Sequence, residues 1–292
     1  MNDTDNPMEM DARNRYLDLL KKTLSFLLWP EPPRPVEVFN FQNPPFKRFV
    51  LSCISRVLEP THYRLTETRE YTLEERERGE IWPIYAETMI GLKRLDNLQK
   101  CVETVIREQI RGDFIETGAW RGGACIFMRA VLAAHSIEDR RIFVADSFEG
   151  LPKPDPAKFS ADSGDTHYRN RYLAVSLEQV KENFRKYGLL DDKVIFLKGW
   201  FKDTLPSAPI KELAVMRLDG DMYSSTIDAL SNLYPKLSKG GFCIIDDYAL
   251  EGCKKAVNDY RASNGIEAAI QPIDAASVYW RNEVPVREAV TR

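Results

Sequence analysis

Residues 114–123 read Phe114-Ile115-Glu116-Thr117-Gly118-Ala119-Trp120-Arg121-Gly122-Gly123. An apolar pair ends in an acid, a glycine follows two residues later, and a Gly-Gly pair precedes the apolar run over 124–134. This is a buried strand that turns at Thr117-Gly118 and feeds a helix, the opening unit of a parallel α/β sheet. Four further strands are predicted on the C-terminal side: 141–145 ending at Asp146, 193–198, 213–218 ending at Asp219, and 241–245 ending at Asp246-Asp247. Predicted helices separate them. One starts near Ser176, where Ser176 and Gln179 fit a capping box and Gly188 a stop; another covers 225–237. The pattern predicts a Rossmann-like α/β protein, its sheet mostly parallel with helices on both faces. Val278-Tyr279-Trp280 reads as a closing antiparallel strand.

Composition narrows the class. The 292 residues hold 41 Lys and Arg against 44 Asp and Glu, a formal charge of −3, with 43% hydrophobic and 29% charged residues. A protein bound to phosphates would show a basic excess or stripe, so no nucleic-acid partner is expected. Runs such as Phe26-Leu27-Leu28-Trp29 are too short to span a bilayer, and the polar first fifteen residues are unlike a signal peptide. Five cysteines without a CxxC pair argue against a disulfide scaffold or zinc site. A reduced, cytoplasmic protein with no membrane partner is the expectation.

Length alone suggests roughly two domains. Residues 1–11 read as a tail, and Leu17, Leu20, Leu24 and Leu27/Leu28 mark an amphipathic helix over 11–29. Six prolines in 30–45 make an extended arm, and 46–111 reads as mostly helical. The division is a helical extension and proline-rich arm over 1–111, then an α/β core over 112–292. Within the core, the long connection over 150–175 is placed as a lid.

In an open α/β sheet ligands bind beyond the carboxyl ends of the strands, and this chain puts acids there. The first turn lacks the GxGxxG that brings backbone amides against a pyrophosphate. Glu116 suits a ligand with an ammonium or sulfonium tail, Gly118 permits a tight turn, and Asp146 is placed to accept hydrogen bonds from ribose hydroxyls. A nucleoside site with a cationic, phosphate-free tail is the profile of S-adenosylmethionine. Without a ligand, the same acids read as helix caps at strand ends. Asp219, Asp221, Asp246 and Asp247 crowd two strand ends, where carboxylates repel one another unless a cation lies between them. Oxygen donors without His or Cys favour magnesium or calcium over zinc or copper. Solvated acids at a sheet edge are the other reading, weakened because each pair follows an apolar run. A divalent ion holding two neighbouring oxygens would acidify and orient a hydroxyl, and Asp221 is the candidate general base.

The segments 114–123, Ala145-Asp146-Ser147-Phe148-Glu149-Gly150-Leu151-Pro152, 198–206, Arg217-Leu218-Asp219-Gly220-Asp221-Met222-Tyr223, Ile245-Asp246-Asp247-Tyr248 and 88–99, in this order of motifs over about residues 80–260, resemble the macrocin O-methyltransferase family. The resemblance implies a class I methyltransferase fold with a helical N-terminal extension, dependent on S-adenosylmethionine and Mg2+. It implies methylation of a deoxysugar hydroxyl on a macrolide, aminocoumarin or similar glycoside, and a homodimer or larger homo-oligomer. Carried over by residue, Asp219, Asp246 and Asp247 match metal ligands and Asp221 the base. Glu116, Thr117, Gly118, Asp146 and Ser147 match cofactor contacts, and Met89 matches a cofactor-lining residue of the helical part. Gly199-Trp200 lies where the adenine ring is expected, although Trp200 also suits plain packing. The arm over 30–72 departs from the family pattern, and His167 reads as a second proton acceptor or a solvated bystander. Two alternatives stand: a catechol-type O-methyltransferase acting on a phenolic diol, and a cofactor-binding homologue without catalysis.

Overall fold

A computed structural model describes residues 7–39 and 43–283; most of the expected N-terminal tail lies outside the described residues. The main elements in chain order are α1 (Pro7–Leu24), α2 (Pro45–Leu58), α3 (Leu73–Arg78), α4 (Leu92–Arg107), β1 (Asp113–Thr117), α5 (Gly123–Ala134), β2 (Ile142–Asp146), α6 (Leu177–Lys186), β3 (Val194–Lys198), β4 (Leu213–Leu218), α7 (Tyr223–Leu233), β5 (Leu237–Ile245), α8 (Glu251–Ser263), β6 (Gln271–Pro272) and β7 (Val278–Arg281). The seven strands form one sheet in the order β3-β2-β1-β4-β5-β7-β6. The first five are parallel, and β7 returns antiparallel to β5, pairing Cys243 with Trp280. The order reverses between β1 and β4, which opens the crevice where ligands of such sheets bind.

The pleat sends alternate residues to opposite faces. Phe114, Ile142, Val144, Val215 and Ile244 pack on one side with α4, α5 and α6, whereas Ile115, Phe143, Met216, Leu218 and Ile245 pack on the other with α7 and α8. Leu17, Leu20 and Leu24 of α1 join the first of these clusters. The amphipathic spacing therefore docks α1 on the body of the protein. The helix is shifted from the predicted 11–29, because Phe26 takes a left-handed φ of 57° and breaks the run.

The region 46–111, expected to be mostly helical, holds three α-helices interrupted around Pro60, Gly79, Pro83 and Gly91. A full capping box opens α3: Glu75 N–H donates to Thr72 Oγ1 (3.1 Å) and Thr72 N–H to Glu75 Oε2 (2.8 Å). At α6 only half of the predicted box forms. Gln179 N–H donates to Ser176 Oγ (3.3 Å), while the Gln179 amide reaches Asn183 instead (2.9 Å). Residues 79–91 thread between the extension and the core. Glu87 N–H donates to Leu24 O (2.8 Å), Gly123 N–H to Glu87 O (2.9 Å), and Arg121 Nη1 to Ile84 O and Ala86 O (2.8 and 2.7 Å). That threading brings Met89 over the carboxyl ends of the strands.

Candidate active site

The turns after β1 and β4 touch backbone to backbone. Gly118 has a φ of 80°, and a Cβ there would lie 1.7 Å from the Asp219 carbonyl oxygen, so no larger residue fits. Asp219 N–H donates to Thr117 O at 2.9 Å, locking the two turns together. On the next strand, Asp146 accepts from Trp120 N–H (3.2 Å) and Phe148 N–H (2.7 Å). Both oxygens are thereby oriented toward the cleft by fixed donors. Burial raises the Asp146 pKa against these hydrogen bonds. Gly199 N–H donates to Asp146 O at 2.9 Å, bringing the end of β3 alongside.

These turns surround a cavity of about 390 Å3, lined by Met89, Gly118, Asp146, Ser147, Gly199, Trp200, Asp219 and Asp221 among others. Its size suits a small-molecule site. Eight of the twelve residues singled out from the sequence thus line one space; Glu116, Thr117, Asp246 and Asp247 do not.

Carboxyl oxygens of Asp219, Asp221 and Asp247 lie within 4.8 Å of one another. Asp221 sits at a left-handed φ of 52°, a conformation Asp tolerates better than most residues at a cost of order 1 kcal/mol. Its N–H donates to Asp247 Oδ2 at 3.0 Å, which holds the bend in place. Burial, followed by the charges of Asp219, Asp165 and Asp246, pushes the Asp221 carboxyl up to about 8. Burial and the neighbouring acids also raise Asp247 and Asp219. The cluster is short of positive charge, and a hard cation is the species that its all-carboxylate donors fit.

Asp246 faces a different group. Its Oδ1 lies 2.5 Å from Arg217 Nη2 and its Oδ2 2.8 Å from Arg94 Nη1, and its Oδ1 also receives the Ser277 hydroxyl at 3.3 Å. Arg217 also pairs with Glu116 and, at 3.1 Å, with Asp219. Register explains the contact, because Glu116 and Arg217 are direct partners across β1 and β4. Glu116 is therefore sealed within the sheet, where Cys125 Sγ supplies a second partner at 2.9 Å. Arg94 on α4 completes the chain through Asp274 at 2.6 Å.

The segment 150–175 is fastened at two places. Asp162 is buried and accepts from Tyr223 N–H (2.7 Å) and Ser224 N–H (3.0 Å), capping α7 just beyond Asp221. Farther along, Trp120 Nε1 donates to Tyr172 O (3.0 Å) and the Tyr172 hydroxyl donates to Pro83 O. His167 pairs with Asp165 at 3.0 Å.

A family model for macrocin-O-methyltransferase (TylF) matches residues 13–282. The chain belongs to the macrocin O-methyltransferase family. It is 50% identical over 276 residues to the 8-demethyl-8-(2,3-dimethoxy-alpha-L-rhamnosyl)-tetracenomycin-C 4'-O-methyltransferase of Streptomyces olivaceus, covering 94% of this chain and 95% of the relative. It is 52% identical over 227 residues to the demethyldecarbamoylnovobiocin O-methyltransferase of Streptomyces niveus, covering 76% and 87%. The solved structure of the O-methyltransferase NovP matches with a TM-score of 0.79 at 44% identity, over 93% of this chain and 100% of that one. This member of the macrocin O-methyltransferase family is accordingly an O-methyltransferase, and its class I fold implies S-adenosylmethionine as methyl donor.

Sequence reasoning missed the arginines that organise this macrocin O-methyltransferase site. A signal was present: Arg217 is the one charged residue in the otherwise apolar β4, two positions before Asp219. A cation inside a buried strand beside strand-end acids is their counter-ion. Arg94, Asp162 and Asp274 carried no comparable mark, since their partners lie far away in the chain.

Proposed function

We propose that this enzyme transfers a methyl group from S-adenosylmethionine to a sugar hydroxyl of a glycosylated natural product, assisted by Mg2+. The observation that carries the reading is the grouping of Asp219, Asp221 and Asp247 beside the cavity that Gly118 and Asp146 line. Asp219 and Asp247 would hold the ion next to Asp221. Asp246, also expected as a ligand, is in this structure the counter-ion of Arg217 and Arg94. When bound, the ion supplies a lowered pKa for the attacked hydroxyl and a fixed position for two neighbouring oxygens.

The remaining steps belong to the chain's own residues. Asp146 accepts the ribose hydroxyls with a carboxylate already oriented by two backbone N–H groups. Met89, Ser147, Gly199 and Trp200 surround the nucleoside. Asp221 takes the proton of the acceptor hydroxyl, and the lid over 150–175 excludes water. A sugar acceptor is supported by the tetracenomycin relative, whose name specifies a rhamnosyl substrate. We further assign the enzyme to the cytoplasm and to a homo-oligomeric state; no helix among the described residues is long and apolar enough to cross a membrane.

The test is methyl transfer from labelled S-adenosylmethionine to a panel of deoxysugar glycosides and catechols, with EDTA or MgCl2. Labelled glycosides, lost in EDTA and restored by Mg2+, are expected. Labelled catechols alone would replace the acceptor class, and full activity in EDTA would remove the ion.

A further inference from the structure

Trp120 belongs to two sets of contacts at once. Its N–H donates to Asp146 Oδ2 (3.2 Å) and its indole Nε1 to Tyr172 O (3.0 Å). The residue is buried and takes a left-handed φ of 47°, a conformation that a bulky side chain keeps only where its surroundings hold it. Its ring lies 5.3 Å from the Tyr172 ring, centroid to centroid, and the Arg121 guanidinium sits over it at 4.2 Å. Tyr172 is held by the segment 79–91 as well. Its ring lies 5.4 Å from that of Trp82, and its hydroxyl donates to Pro83 O. Arg121 ties the same stretch down through Ile84 O and Ala86 O. Tyr172 does not line the cavity at the strand ends, but Trp120 and Leu173 do. A ligand in the cavity therefore meets Leu173 in this position only while Tyr172 is docked, and a difference of that kind is what lets occupancy shift an equilibrium.

We propose that Trp120 is a positioning residue for the cofactor: it docks Tyr172 so that Leu173 closes on the nucleoside, and cofactor occupancy in turn fastens the segment 150–175. The proposal rests on the reading of Asp146 as the acceptor of the ribose hydroxyls. Asp146 is the shared element, because the carboxylate that takes the ribose also fixes the Trp120 backbone. Coupling between two sites is reciprocal, so whatever Tyr172 docking adds to cofactor affinity, the cofactor adds to docking. Plain packing of the two rings would stabilise the fold without that link.

The test uses S-adenosylhomocysteine, the cofactor without its methyl group, and needs no acceptor. Trypsin cleavage at Arg169 and Arg171, both exposed and close to Tyr172, reports undocking, and calorimetry gives the dissociation constant. In the wild type, saturating ligand should slow that cleavage about tenfold. Tyr172→Ala removes no cavity-lining side chain, yet it should weaken ligand binding roughly fivefold and lose most of the protection. Trp120→Phe keeps an aromatic ring without the Nε1 donor and should act in the same direction. Combined, the two should weaken binding by less than the product of their separate effects, because they break one contact. An unaltered dissociation constant in Tyr172→Ala overturns the proposal, as do independent, multiplying effects of the two substitutions. So does a wild type that binds the ligand and is cleaved no more slowly for it; the nucleoside reading then stands. A wild type that does not bind S-adenosylhomocysteine removes that reading and the proposal together.

Discussion

Arg217 and Asp246 face each other from adjacent strands, Nη2 to Oδ1 at 2.5 Å, both almost completely buried. The same guanidinium serves Glu116 and Asp219, so one cation holds three anions at the switch point of the sheet. Arg217→Met would leave Glu116 buried without its cation and Asp246 with only Arg94. A loss of about 3–5 kcal/mol of stability is expected, measured by urea unfolding. Arg217→Lys should fall between, because an ammonium cannot reproduce the guanidinium fork. A stability change near zero for Arg217→Met would show that the network carries no weight in folding.

The raised acids make stability depend on pH in a direction set by linkage. An acid whose folded pKa lies above its unfolded value keeps its proton more tightly in the fold. Its contribution is full below the ordinary carboxyl value of 3.8 and is lost as pH rises toward about 8, the level to which Asp221 is pushed. A cation competes with that proton, so MgCl2 should raise the melting temperature more near pH 8 than near pH 5.5. Equal shifts at both pH values would argue against binding in this cluster.

Asp221→Asn removes the proposed proton acceptor while preserving size and the turn. Turnover should fall by roughly 10²-fold or more, with the dissociation constant of S-adenosylmethionine unchanged by calorimetry. Unchanged turnover would take Asp221 out of the mechanism.

Asp146→Ala acts on the other side of the cavity. Cofactor affinity should drop roughly tenfold or more, as expected for a lost charge-assisted hydrogen bond, while the response of the protein to MgCl2 persists. An unaltered cofactor dissociation constant would refute the ribose assignment.

Asp162→Ala unfastens the lid from α7 by leaving the Tyr223 and Ser224 N–H groups without their acceptor. About 1 kcal/mol of capping energy is lost, and trypsin should cut within residues 152–175 faster than in the wild type. KM for the acceptor should rise more than kcat falls; a normal cleavage rate would mean that the Tyr172 contacts hold the lid unaided.

Much of the architecture was legible from local pattern. The periodicity of 114–118 and 213–218, the glycine at 118 and the acids closing four of the five parallel strands are properties of short segments, and the bonds that express them form between neighbours in the chain or across adjacent strands. The cavity-lining role of Gly118 and Asp146 follows directly from that pattern, whereas Gly199 is placed by the family resemblance. Helix ends were less legible, because Phe26 leaves α1 through a backbone conformation that its side chain does not announce.

Pairings between distant segments were decided by the tertiary structure. Asp246 and Asp247 are adjacent in sequence and chemically identical, yet the pleat turns one toward Arg217 and Arg94 and the other toward Asp219 and Asp221. Glu116 reads as a ligand contact until register sets it opposite Arg217. By itself, the sequence determined that acids gather at the ends of a parallel sheet. Which acids meet a buried cation and which meet one another depends on strand register and on α4 crossing the sheet, distances that no local pattern of residues encodes.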